Sequence, residues 1–121
     1  MSDAATHAER YIAIWNETDP ARRRALLAAA WTETGTYADP LMAGTGHAQI
    51  DGLVAAVQSR FPGMRFRLTG RPDGHGDHLR FTWALGPEGG EGLVEGTDFA
   101  TLEAGRLARV TGFLDRVPAS P

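Results

Sequence analysis

The spacing of apolar side chains shifts at the middle of this chain, and that shift restricts it to few architectures. In three stretches up to Phe61 the apolar residues recur at steps of three and four; from Met64 they alternate, with Pro62 and Gly63 at the break. The first spacing lays a stripe along a helix, and the second lays one face on a strand. Ala4, Ala8, Tyr11, Ile12 and Trp15 mark a first helix ending near Glu17. Asp19 and Pro20 read as an N-cap and a first-turn proline, opening a second helix that runs through Leu26 and Leu27 to Trp31. Its arginines, Arg22, Arg23 and Arg24, are expected to face water. Gly44, Thr45 and Gly46 read as a loop, and Ile50, Leu53, Val54, Val57 and Phe61 define a third helix.

Beyond the break, Met64, Phe66 and Leu68 alternate with arginines, and Leu79, Phe81, Trp83 and Leu85 alternate with polar residues. A turn from Pro72 to Asp77 is expected between these strands, and two more strands span Leu93 to Leu102 and Arg106 to Leu114. Helices first and hairpin-linked strands afterwards predict an α+β fold, with the helices on one face of a curved antiparallel sheet. A sheet curved in this way encloses a pocket.

A length of 121 residues predicts one domain, 1–117, with a short tail at 118–121. No apolar run approaches the roughly 20 residues needed to cross a bilayer, so a soluble, cytoplasmic chain is expected. Without cysteine, disulfides and thiolate chemistry are excluded. All 12 basic residues are arginine, which removes lysine Schiff-base catalysis. The net charge of −3 gives no basic field for a phosphate backbone, so nucleic acid is not an expected partner.

The segment Gly35, Thr36, Tyr37, Ala38, Asp39, Pro40 reads as a strand ending in a carboxylate held against a proline. The residue before proline is pushed into extended geometry, so Asp39 has little freedom to swing and suits proton transfer. The plainer reading is a turn opened by Asp-Pro. Asp98 is the second candidate, because aspartate is depleted inside strands, and alternation puts it on one face with Val94, Gly96 and Ala100. Gly96 leaves space for a ligand or relieves strand curvature. Tyr11 lies on the buried stripe of the first helix, where a tyrosine is ordinarily a core aromatic. His75 and His78 lack a third ligand at a recognisable spacing, so no metal is expected.

With Tyr11 and Ile12 on the first helix, Asp39 and Pro40 after the first strand, Gly46, Gln49 and Ile50 opening the third helix, Asp98, and Gly105 with Arg106 in the last turn, the chain resembles the superfamily of nuclear transport factor 2, ketosteroid isomerase and the SnoaL-like polyketide cyclases. The resemblance covers nearly the whole chain and implies a cone-shaped fold, with three N-terminal helices packed on a strongly curved, mostly antiparallel sheet around a pocket. It further implies Asp39 as general base, Tyr11 and a protonated Asp98 as oxyanion donors, no cofactor, a homodimer formed through the sheet face, and a small hydrophobic or enolisable ligand. The arrangement of an Asp base facing a tyrosine and a neutral aspartic acid is the known one of ketosteroid isomerase. Trp15, Phe66, Phe81, Trp83, Val94, Gly96 and Ala100 are then expected to line the substrate pocket, with the bulk of Trp31, Phe66 and Trp83 favouring a ligand smaller than a steroid. Two alternatives stand beside an isomerase or cyclase: a noncatalytic binder of a small hydrophobic ligand, and a protein-interaction module of the same fold that holds a partner on its open sheet face, for which a packed interior would speak.

Overall fold

The computed structural model describes residues 4–118, in the order α1 (Ala4–Asn16), α2 (Pro20–Ala30), β1 (Trp31–Ala38), β2 (Ala43–Thr45), α3 (Gly46–Arg60), β3 (Arg65–His75), β4 (His78–Gly86), β5 (Val94–Glu103) and β6 (Arg106–Arg116). The three helices lie against a curved, mostly antiparallel sheet of six strands that does not close. Strand order is β2-β1-β6-β5-β4-β3, and the β1–β6 pair is parallel. Of the expected tail, 119–121 lie outside the described residues. No described helix is long and apolar enough to cross a membrane.

The capping expected at Asp19 is present: its carboxylate accepts the Arg22 backbone N–H at 2.9 Å, and Pro20 occupies the first turn. Trp31, expected at the end of α2, instead starts β1. Its backbone turns extended (φ −115°, ψ 146°) while its N–H still bonds the Leu27 carbonyl, so one residue closes the helix and begins the strand. Gly44 and Thr45, read as loop, belong to β2, which pairs with β1 through Tyr37 opposite Gly44. The expected turn at Pro72–Asp77 shrinks to Gly76 and Asp77, because β3 continues to His75. Pro72 is tolerated there because β3 is an edge strand whose register shifts between Thr69 and Asp73, next to Gly70 at φ 70°.

Arg23 does not face water. It is 4% exposed, its Nε lies 2.5 Å from Asp51 Oδ1, and its Nη1 donates to the Glu17 carbonyl and to Gln58 Oε1. Gln58 in turn donates to the Trp15 and Glu17 carbonyls. This buried network satisfies the open carbonyl end of α1 and ties it to α2 and α3, which fixes the helical wall over the sheet. Ile14, Leu27, Trp31, Ile50, Val54, Leu107 and Val110 fill the base of the layer between helices and sheet. Towards the other end that layer opens into a cavity.

Candidate active site

The cavity has a volume of about 790 Å³ and a predominantly apolar lining, within the range of small-molecule sites. Tyr11, Asp39 and Asp98, drawn from α1, the end of β1 and β5, all line it. Of the residues expected around them, Trp15, Phe66, Trp83 and Val94 line it as well. Phe81, Gly96 and Ala100 lie outside the lining. Phe81 stands behind Tyr11, edge-on with ring centroids 5.1 Å apart. Ala100 is packed between its strand partners Leu79 and Val110. The space left by Gly96 is filled by the Trp83 indole, which a Cβ at that position would strike. Trp31 is fully buried, with its ring against Gly35, and does not narrow the cavity.

Asp39 is both a turn residue and a cavity residue. Its N–H bonds the Met42 carbonyl, and its Oδ1 accepts the backbone N–H groups of Leu41 at 2.7 Å and Met42 at 3.0 Å. Its Oδ2 accepts the Tyr37 hydroxyl at 2.7 Å. Two amides and one phenol occupy three of a carboxylate's roughly four acceptor positions, leaving one on Oδ2. Tyr37 was not singled out in the sequence as a site residue, although it stands two positions before Asp39 on an alternating strand.

Asp98 is 1% exposed, and Trp83 Nε1 donates to its Oδ1 at 3.2 Å. Burial pushes its carboxyl up from 3.8 to about 6, against the opposing pull of hydrogen bonds from Tyr11 and Trp83, with the Asp39 and Asp115 charges adding to the rise. The shift is towards the neutral acid, the form in which the carboxyl can donate. An apolar ligand that expels water from the cavity acts further in the same direction. Burial, then the neighbouring Asp98 charge, raises both Tyr11 and Tyr37, so both phenols keep their protons as donors.

Gly112 was also missed. It faces Asp98 across the β5–β6 pair, and a Cβ there would sit 2.8 Å from Asp98 Oδ1 and 3.4 Å from both Asp39 Cβ and the Tyr37 hydroxyl. The two carboxylates and a phenol thus converge on a point that only glycine leaves open. Its signal in the sequence was a glycine inside a strand. A second, more open groove of about 600 Å³ beside α1 and β3, lined by Glu9, Glu17 and Arg65 among others, contains none of these groups. His75 and His78 pair across the β3–β4 turn with ring centroids 5.5 Å apart, and no group of three or more His, Asp or Glu among the described residues is placed to hold a metal.

Residues 8–110 match the model of the SnoaL-like domain. Among solved structures, the chain is similar to a candidate isomerase of the SnoaL-like family from Agrobacterium tumefaciens str. C58, with 46% identity, TM-score 0.90, and coverage of 95% of this chain and 99% of that one. It shares its fold with a candidate ketosteroid isomerase from Kribbella flavida DSM 17836 (23% identity, TM-score 0.71, coverage 100% and 86%). A candidate SnoaL-like polyketide cyclase from Jannaschia sp. CCS1 has the same fold (16% identity, TM-score 0.71, coverage 100% and 97%). None of the curated proteins matches the chain.

Proposed function

The chain belongs to the SnoaL-like domain family, and on that footing we propose that it is a small-molecule isomerase or cyclase in which Asp39 moves a proton next to a carbonyl. The observation that supports this most is the convergence of Tyr11, Asp39 and Asp98 on one apolar cavity of about 790 Å³. In the proposed step the free acceptor position on Asp39 Oδ2 takes a proton from the carbon beside the carbonyl, and the electron pair moves onto the carbonyl oxygen. Tyr11, and Asp98 when protonated, donate to that oxygen as its charge grows. Tyr37 and the Leu41 and Met42 amides hold Asp39 in place during the transfer. The step is balanced by these side chains and calls for no cofactor.

Solvent-deuterium exchange into small enolisable cyclic ketones, followed by NMR, tests the proposal. Wild-type protein is expected to catalyse exchange, and Asp39→Asn to lower it by about 10³-fold or more while the chain stays folded. Ligand binding without catalysed exchange in the wild type would instead identify a noncatalytic binder. A packed interior would favour an interaction module of the same fold; the open cavity supports the small-molecule readings instead.

We further propose a homodimer formed through the outer face of the sheet. Phe99 and Phe113 stand there 45% and 50% exposed, edge to face at 5.8 Å, on adjacent central strands. Sedimentation is expected to show a dimer that Phe99→Glu converts to a monomer; a monomeric wild type would refute this.

A further inference from the structure

We propose that the ligand of this cavity is an enolisable carbonyl compound with an anionic group at its far end, which Arg60 meets at the mouth. This rests on the small-molecule reading above and adds a substrate class to it. The cavity is polar at both ends for different reasons. Its inner end carries Asp98 and Tyr11, which are 1% and 2% exposed. Its mouth is formed by exposed residues, Leu41, Arg60, Val117 and Pro118. Apolar side chains such as Trp15, Val57, Phe66 and Leu114 line the space between.

Arg60 is the one cationic residue in this lining. Like Arg10, Arg24, Arg67, Arg71, Arg106 and Arg109, Arg60 makes no ion pair among the described residues, and it alone of these seven lines the cavity. Its guanidinium carbon lies 6.0 Å from the ring centroid of Phe61, another lining residue, within cation–π distance. A cation in the last turn of α3 also suits the helix dipole, and that accounts for the charge without accounting for its place in the lining. The Asp98 carboxylate repels an anion from the inner end, whereas Arg60 attracts one at the mouth. A ligand with both groups is therefore held in one orientation, its carbonyl towards Tyr11 and Asp98. A forked guanidinium suits a carboxylate or a phosphate; the carboxylate is the form tested here.

The test uses 2-tetralone carrying a carboxymethyl group on the aromatic ring, and its methyl ester. Binding is followed by quenching of tryptophan fluorescence, since Trp15 and Trp83 line the cavity. At low salt the acid is expected to bind about 3- to 10-fold tighter than the ester, with the preference shrinking at high salt. Arg60→Gln is expected to abolish the preference and Arg60→Lys to keep part of it. Equal or weaker binding of the acid by the wild type, or a preference that survives Arg60→Gln, overturns the inference while leaving the small-molecule reading in place. Failure of both compounds to bind overturns the two together.

Discussion

Replacing Asp98 with asparagine separates the energetic cost of the site from its chemistry. The carboxyl is neutral in both folded and unfolded chains at low pH; as pH rises, the unfolded chain ionises near 3.8 and the folded one only near 6. The folded state therefore loses stability between those values, and the loss is complete above them. Raising the group from 3.8 to about 6 corresponds to a loss of about 3 kcal/mol. Asparagine never ionises and still offers an oxygen to Trp83 Nε1, so Asp98→Asn is expected to be more stable than the wild type by up to about 3 kcal/mol at pH 8 and by about 1 kcal/mol at pH 4.5. Urea unfolding of both proteins at the two pH values measures this, because titrating groups not coupled to Asp98 cancel in the difference. A difference that does not grow from pH 4.5 to pH 8, or that favours the wild type at pH 8, would refute a buried carboxylate held against its solvation. The proposed gain in stability at the expense of a donor is the usual exchange at a functional site.

Two other substitutions probe how the groups are held. Tyr37→Phe removes the 2.7 Å bond to Asp39 Oδ2 and is expected to lower kcat for deuterium exchange by about 10-fold, with ligand affinity nearly unchanged; an unaltered kcat would show that the two backbone amides position Asp39 alone. Gly112→Ala would place a methyl 2.8 Å from Asp98 Oδ1 and is expected to cost about 1–3 kcal/mol and most of the exchange activity. Full retention of both stability and activity would mean that β5 and β6 shift to admit it.

What the sequence disclosed followed the reach of its periodicities. The α1 stripe and the alternation around Asp98 put Tyr11 and Asp98 on inward faces, and the structure has them there. Periodicity was silent on how close an inward residue comes to open space, so Phe81, Gly96 and Ala100 were grouped with lining residues although other side chains cover them. For Arg23, charge alone predicts exposure and the structure buries it. It stands four residues before the buried Leu27 on the same helical face, and its aliphatic stem and bonded guanidinium make burial tolerable. Pro72 and Gly74 were read as punctuation because their habitual place is a turn; a register shift on an edge strand accommodates them equally well. Tyr37 was legible by the rule that residues two apart share a face, applied to the segment that ends in Asp39.

The parallel pairing of β1 with β6 is what completes this site. Asp39 follows β1, Asp98 sits on β5, and β6, with Gly112 between the two carboxylates, is the strand that joins them. In sequence, the base follows β1 and the buried donor Asp98 lies on β5, so the two carboxylates are brought side by side only through β6. That join is also among the longest in sequence, with Ala38 opposite Thr111. A chain truncated before β6 would keep every proposed catalytic side chain and lack the strand that sets the two carboxylates beside each other.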